Sequence, residues 1–554
     1  MFKLNLEKLV LIAIPFVMAL GYFIFNSHHL FVDLFYENGD FALQSLDIIK
    51  AKDFLVWTSG TSSLQEFCHP GPVLTYLYAA AECLLVDFFA IIKSPVISHS
   101  LATGLLNLFI MLLCTINIYR ILHIKSIIIE IILMYCMLMH GIVDNQLAFP
   151  GNIMVSISAV ALLVMSAARI SSKFSISSWA MYFFAAGLLI HLHVSYALIV
   201  LMFSIALIVA CNDKCLLLIS LRYRFFCKVM CLLIPLFYLF PIIYDEIFLS
   251  HNISHIISFV RSKQDLPLPE RVALYFVPAS RYIAAFFCDP FLTIDTKLNM
   301  MATNQYNVSN CKTVFVFILL MIFFVLVLLF SKSSFTKSIA CFCILSIFAT
   351  LYLAMSSLKD GRVFQYEYVC RYFYGIVICV FLAVILFFEE VFLKFFKSDG
   401  YKSQGWRIIF LIHLCLGCFI ARLFFLLPAS RSFFSNDNDG VTPGYFVIPF
   451  WKSTDPRIGD ISVSILKYDP PYELVLESEN WPLLAGVYLN LVRTGNKVVV
   501  WNPFFRAMFK ADSFYIYEPC GTKVYLTNSK MYNSSKNGIA VFSDTRDVVS
   551  IINK

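Results

Sequence analysis

Apolar runs of membrane-crossing length recur along the whole first three quarters of this chain. They lie at 9–25, 72–92, 98–119, 126–142, 151–170, 179–210, 229–246, 314–330, 339–357, 369–390 and 407–427. Each approaches the ~20 residues a helix needs to cross a hydrocarbon core. Composition agrees: 60% of the 554 residues are hydrophobic, 14% are charged, and mean hydropathy is +0.79. A soluble chain carries about a quarter charged residues. A soluble enzyme, a disordered chain and a coiled coil are therefore excluded, and the expected fold class is a polytopic α-helical membrane protein of about eleven spans. The run 9–25 follows Lys3 and Lys8 as a signal peptide would, but no small-residue cleavage site follows, so an uncleaved first span is expected.

Two gaps between runs are long, 26–71 and 247–313, and after residue 427 the apolar signal stops. The expected organisation is a transmembrane domain over 1–427 and a water-soluble domain over 436–554, a usual domain size. The tail holds equal numbers of basic and acidic residues, so the net charge of +7 lies in the membrane part and is no nucleic-acid signal. Loops with Lys214, Arg222, Arg224 and Lys228, with Lys332 and Lys337, and with Lys394, Lys397, Lys402 and Arg407 are expected on the cytoplasmic side. Eleven spans then put both long loops and the tail outside. Between 93 and 178 strict alternation conflicts with the charge rule, which wants Arg120, Lys125, Arg169 and Lys173 inside. The run 179–210 is long for one helix and carries His191 and His193 midway, so a break into two is expected there.

The tail reads as α/β. Tyr472–Glu477 alternates like a strand, Trp481–Val492 has helical spacing with Pro482 in its first turn, and Lys497–Trp501 reads as a buried strand. That order is a β-α-β unit. Gly495 suits a helix stop. No glycine-rich phosphate loop opens the helix, so nucleotide binding is unsupported. The 17 cysteines show no repeated metal-ligand spacing, and most lie in apolar runs.

The first long gap carries the most chemistry. Glu37 and Asp40 stand three apart after the first run, and Asp40 opens an amphipathic stretch with Phe41, Leu43, Leu46, Ile48 and Ile49. A carboxylate there is either a general base or simply a helix cap. His69-Pro70-Gly71-Pro72 closes the gap at the head of the second run, with His69 at the membrane surface.

The ENGD motif, the HPGP motif about thirty residues on and the following VLTYLYA together resemble the GT-C superfamily of integral-membrane glycosyltransferases, in its bacterial branch. Leu192-His193-Val194-Ser195-Tyr196 is similar to a segment usually written QTHVSY, with Leu192 at the Thr position and His191 at the Gln position. Pro241–Ile253 is similar to an acidic-then-Asn segment opening the second outer loop, with His251 in place of Gly. The segment 481–500 looks like the family's C-terminal β-α-β element.

The resemblance implies transfer of a sugar from a polyprenyl-phosphate carrier to a glycan, lipid or protein acceptor on the outer face of a bacterial cytoplasmic membrane. No nucleic acid is involved, and the partners are the lipid-linked donor, the acceptor and membrane lipid. Asp40 matches the family's first-loop acid, the base. Glu37, His69, His193, Tyr196, Asp245, Glu246 and Arg371 are the expected substrate contacts, with Arg371 suited to the carrier phosphate. No cofactor is certain. Asp245, Glu246 and His193 are of a kind that can hold a divalent metal, though no dense ligand motif exists. A cavity is expected between the first loop, the head of the second run and the 247–313 loop. The rival reading is a transporter or flippase of a lipid-linked sugar, disfavoured because no internal repeat is seen.

Overall fold

In this computed structural model, helices dominate and one small sheet stands near the C-terminus. The structure describes residues 31–55, 58, 60, 68–119, 150–173, 175–210, 225–262, 268–285, 287, 310–357, 372–397, 454–476, 480–500, 522–529, 532, 539–543 and 547–552, and five isolated residues between 16 and 24.

The helices are, in chain order, α1 (Gly39–Lys52), α2 (Val73–Glu82), α3 (Pro95–Tyr119), α4 (Asn152–Ser172), α5 (Ile176–Leu192), α6 (Ala197–Ala210), α7 (Phe225–Phe248), α8 (Asn252–Ser262), α9 (Leu268–Ala285), α10 (Asn310–Phe330), α11 (Ser334–Ser357), α12 (Phe373–Lys397) and α13 (Arg457–Ile465). The tail continues with β1 (Tyr472–Leu476), α14 (Trp481–Arg493), β2 (Val498–Val500), β3 (Thr522–Asn528), β4 (Ile539–Ser543) and β5 (Asp547–Ile552). Two compact units result. One holds residues 1–27, 103–240 and 261–448; the other gathers 28–102, 241–260 and 449–554.

Five helices among the described residues are long and apolar enough to cross a membrane: Pro95–Ile118, Met154–Ser172, Cys311–Phe330, Ser334–Met355 and Phe373–Val391. The chain is an integral membrane protein on that count. Leu232–Phe248 and Asn252–Ser258 pass the same test as a pair bent by 82°. The expected eleven spans are thus only partly accounted for: the runs 126–142 and 407–427, nearly all of 9–25, and the domain boundary at 427–436 lie outside the described residues. The second run, 72–92, is a shorter device. It is α2 followed by a π-helical turn, Cys83–Phe88, which ends before Ala90 at φ +50°.

The first unit packs around α4, whose membrane-length segment is 94% buried. Its small residues let neighbours approach closely. Gly375 of α12 shows how closely: a Cβ there would lie 2.2 Å from the Ile157 carbonyl oxygen. Buried polar groups are paired across helices, Ser166 with Asn117 at 3.1 Å and Arg169 Nη1 with the Asn117 carbonyl at 3.0 Å. At the other extreme, α10 is only 22% buried, as a lipid-facing helix would be. The run 179–210 does break, at His193, into α5, a single 3₁₀ turn and α6.

In the second unit the sheet runs β2-β1-β3-β5-β4. β1 pairs in parallel with β2 and with β3, while β5 is antiparallel to β3 and β4. The segment β1-α14-β2 is therefore the expected β-α-β unit. Asn480 caps α14 by accepting from Leu483 N, Pro482 stands in the first turn, and Gly495 follows the helix at φ +81°. The core of this unit joins Tyr472, Leu474, Leu484, Tyr488 and Val498 of the tail to Ala42 and Leu46 of α1. The first-loop helix is thus part of the tail's own hydrophobic core. Tyr488 and Trp481, two aromatics suited by type to stacking on a sugar ring, are spent on that core.

Candidate functional site

The turn that carries Asp40 is fixed from several directions within the second unit. Tyr36 O accepts from Asp455 N at 2.9 Å, and Glu37 forms a β-bridge with Thr454. The Glu37 carbonyl passes so close to α14 that a Cβ on Gly486 would sit 2.5 Å from it. Gly39 adopts φ +53°, the left-handed region that favours glycine, and rests against Pro482 and Trp481. Gly39 is the first residue of helix α1, with Asn38 at its N-cap.

Asp40 is therefore not the cap. It stands in the first turn, where the helix dipole favours a carboxylate. It is exposed. Partial loss of water raises its pKa above 3.8, and no hydrogen bond or opposite charge among the described residues offsets that. Glu37 differs in every respect. It is buried, its Oε1 accepts from Ser45 Oγ at 3.1 Å and its Oε2 pairs with Arg493 Nη1 at 2.7 Å. Of the two acids in ENGD, the structure leaves Asp40 available and commits Glu37 to the fold.

Arg493 belongs to a larger buried charge network. Its Nη2 lies 3.7 Å from Glu82 Oε2, which also meets His99 Nε2 at 3.1 Å. Lys52 reaches Glu82 Oε1 at 3.0 Å and Asp87 Oδ2 at 2.6 Å. Burial works against the charge of Arg493, but Glu37, Glu82 and Asp87 outweigh it and hold the guanidinium protonated. Burial likewise opposes the charge of Lys52, and its bonds to Asp87 and Glu82 win. Glu82 and Asp87 lie within the apolar run 72–92, where an acid is itself a signal in the sequence. Arg493, Lys52 and His99 carried no such signal, because an Arg in a helix's last turn reads as an ordinary partner of the dipole.

A second centre forms around Asp245. Its carboxylate accepts from Thr58 Oγ1 at 2.9 Å, from Ser250 Oγ and from Asn252 N. Asn252 in turn makes both amide bonds to Cys68, accepting from its N at 2.9 Å and donating to its O at 2.8 Å. Thr58 and Cys68 of the first loop, the latter just before HPGP, thus meet the start of the second long loop here. Glu246 accepts from Ile253 N at 2.9 Å and Ser254 N at 3.2 Å, so the acidic pair caps α8 from the preceding helix. His251, which stands where the resembled segment has Gly, takes φ +53° and is held by its Nδ1 on Glu246 O at 2.6 Å. The position needs the left-handed backbone that Gly supplies cheaply.

His69 is half-buried beside Gly60, whose N–H donates to His69 O at 2.8 Å. Burial lowers its pKa to about 4, so the imidazole is neutral near pH 7. His193 and Tyr196 belong to the first unit. His193 Nδ1 accepts from Ser195 N and lies 2.7 Å from Ser195 Oγ, which caps the 3₁₀ turn. Tyr196 is fully buried, its ring edge-on to Tyr372 at 5.3 Å. Arg371 lies outside the described residues. Among the described residues no group of three or more His, Cys, Asp or Glu side chains could hold a metal ion.

No protein-family model matches the sequence, and no curated protein matches it. The chain is similar to solved structures of an archaeal oligosaccharyltransferase. One is AglB from Archaeoglobus fulgidus in complex with an inhibitory peptide and a dolichol-phosphate, at TM-score 0.40 and 12% identity over 97% of this chain and 71% of that one. Another is the Archaeoglobus fulgidus oligosaccharyltransferase complex with Zn and sulfate, at TM-score 0.41 and 10% identity over 93% and 67%.

Proposed function

We propose that this protein is a GT-C-type membrane glycosyltransferase. It moves a sugar from a polyprenyl-phosphate carrier to a glycan, lipid or protein acceptor at the outer face of a bacterial cytoplasmic membrane, with Asp40 as base. The tail over 436–554 lies on that same outer side. The observation that carries the reading is the contrast within ENGD: Glu37 is buried and locked in an ion pair, while Asp40 is exposed and unpaired among the described residues, its pKa raised by partial loss of water. The order of ENGD, HPGP, HVSY and the acidic-then-Asn segment supports the same class.

The chemistry suits a single carboxylate. An acceptor hydroxyl must lose its proton as it attacks the anomeric carbon, and the phosphate leaves without protonation, so the second acid of a glycosidase is unnecessary. A carboxylate whose pKa is raised by burial is a better base than one held down by an ion pair. Cationic help for the departing phosphate is required, and Arg371 is the proposed donor. His69, His193, Tyr196, Asp245 and Glu246 are proposed to shape the substrate path. Glu37 acts through the backbone of the Asp40 turn.

The test compares cells lacking the protein with cells carrying Asp40→Asn. Lipid mass spectrometry should find the same polyprenyl-phosphate sugar accumulating in both. If Asp40→Asn restores normal carrier levels and normal product, the base assignment is wrong. If the carrier sugar accumulates on the cytoplasmic side alone, the protein is a flippase.

A further inference from the structure

The tail helix α14 touches the Asp40 turn at three places along its length. Trp481 and Pro482 back Gly39, Gly486 lies under the Glu37 carbonyl, and Arg493 grips the Glu37 carboxylate. Only the last of these contacts is electrostatic, and it joins residues 456 apart in the chain. Arg493 is 19% exposed and Glu37 1% exposed at their side chains. Through Nη2 the same guanidinium faces Glu82, so one fork spans two carboxylates from two different segments. A lysine in its place would offer a single point charge and not a planar fork.

A buried ion pair is a poor way to add stability, because desolvation offsets the attraction and an apolar pair often serves as well. The backbone bridge, the glycine contact and the shared core already attach α1 to the tail. Those contacts fix the backbone of the Glu37–Asp40 turn; the Glu37 carboxylate beneath it is held by Ser45 and Arg493, and Asp40 has no side-chain hydrogen bond or ion pair of its own among the described residues to set its direction. From this we infer that Arg493 is a positioning residue, which aims the Asp40 carboxylate by fixing Glu37. The inference rests on the reading of Asp40 as base. It adds that the soluble tail reaches into the catalytic turn through one side chain.

The test uses the full-length protein in native membranes. The donor is the lipid extract from cells lacking the protein, titrated by its phosphate content. The neutral double variant Glu37→Gln/Arg493→Met removes both charges, so no ion is left buried alone. It should melt like the wild type yet lose roughly 100-fold in kcat, the scale of a small misplacement of a reacting group. KM for the donor should change little, since binding is not the step affected. Amide exchange should quicken in residues 36–42 and stay unchanged in β1 and β3. Arg493→Lys keeps the charge without the fork and should show the same effects more weakly; it carries the test if the double variant does not fold. A folded variant with wild-type kcat, or with wild-type exchange in 36–42, overturns the proposal. Asp40→Asn is run in parallel. If it keeps full transfer while exchange in 36–42 still quickens in the double variant, the base reading has failed and the positioning contact stands.

Discussion

Asp40 and Glu37 are both carboxylates, three residues apart, and the sequence offers no way to choose between them by type. The choice is made by Arg493, far along the chain, which takes one and leaves the other. Legibility at this scale ends where a partner comes from another segment. The same limit applies to Asp245 and Glu246: their acidity was visible, but not their hydrogen bonds to Thr58, Asn252 and Ser254. Asp40 also carries a stability consequence. A carboxyl whose folded pKa is raised above 3.8 binds its proton more tightly folded than unfolded. Its ionised form therefore costs stability at neutral pH, and the cost fades as pH falls through the raised value toward 3.8. Asp40→Asn should melt slightly above the wild type at pH 7 and equal to it near pH 3.5, read by thermal unfolding at both. A lower melting temperature at pH 7 would mean that Asp40 has a structural partner.

At the scale of elements the tail was the most readable part. Tyr472–Leu476, Trp481–Arg493 and Val498–Val500 form the strand, helix and strand that alternation and helical spacing predict, because each element's pattern is set by neighbours in sequence. The break at His193 was also legible, since an apolar run of that length with two histidines is a poor single helix. The π-helical end of the second run was not, because nothing in hydropathy distinguishes a π turn from an α turn. Nor was the seating of α1 on α14. The contact closes around Gly486, where an added methyl would come within 2.2 Å of Ile458 Cδ1 and 2.5 Å of the Glu37 carbonyl. Ile458 can shift; the backbone carbonyl cannot. Gly486→Ala should therefore lower the stability of the second unit by about 1–3 kcal/mol, the usual cost of overpacking. Denaturant melts followed by exchange in α1 and α14 would register it, and an unchanged midpoint would mean that the two helices part more easily than their packing suggests.

The whole molecule departs furthest from what hydropathy can express. A hydropathy window sees a long loop, a membrane run and a soluble tail as three successive things. The chain folds 28–102, 241–260 and 449–554 into one unit, with Ala42 and Leu46 of the first segment in the same core as Leu484 and Tyr488 of the last. This bears on what removing the tail would do. An acceptor-recognition module can be deleted without harming transfer to a short synthetic acceptor. Deleting 449–554 here would instead strip the apolar cover from Ala42 and Leu46, and remove Thr454 and Asp455 from the Glu37 turn. It would also take away Arg493, the cation that Glu37 pairs with. Transfer to short and native acceptors should therefore fail together, and limited proteolysis should cut within 36–52 in the truncated protein but not in the full chain. If the truncated protein still resists cleavage there and keeps transfer to a short acceptor, the tail is an appended recognition module, and the shared core is not what holds the Asp40 turn.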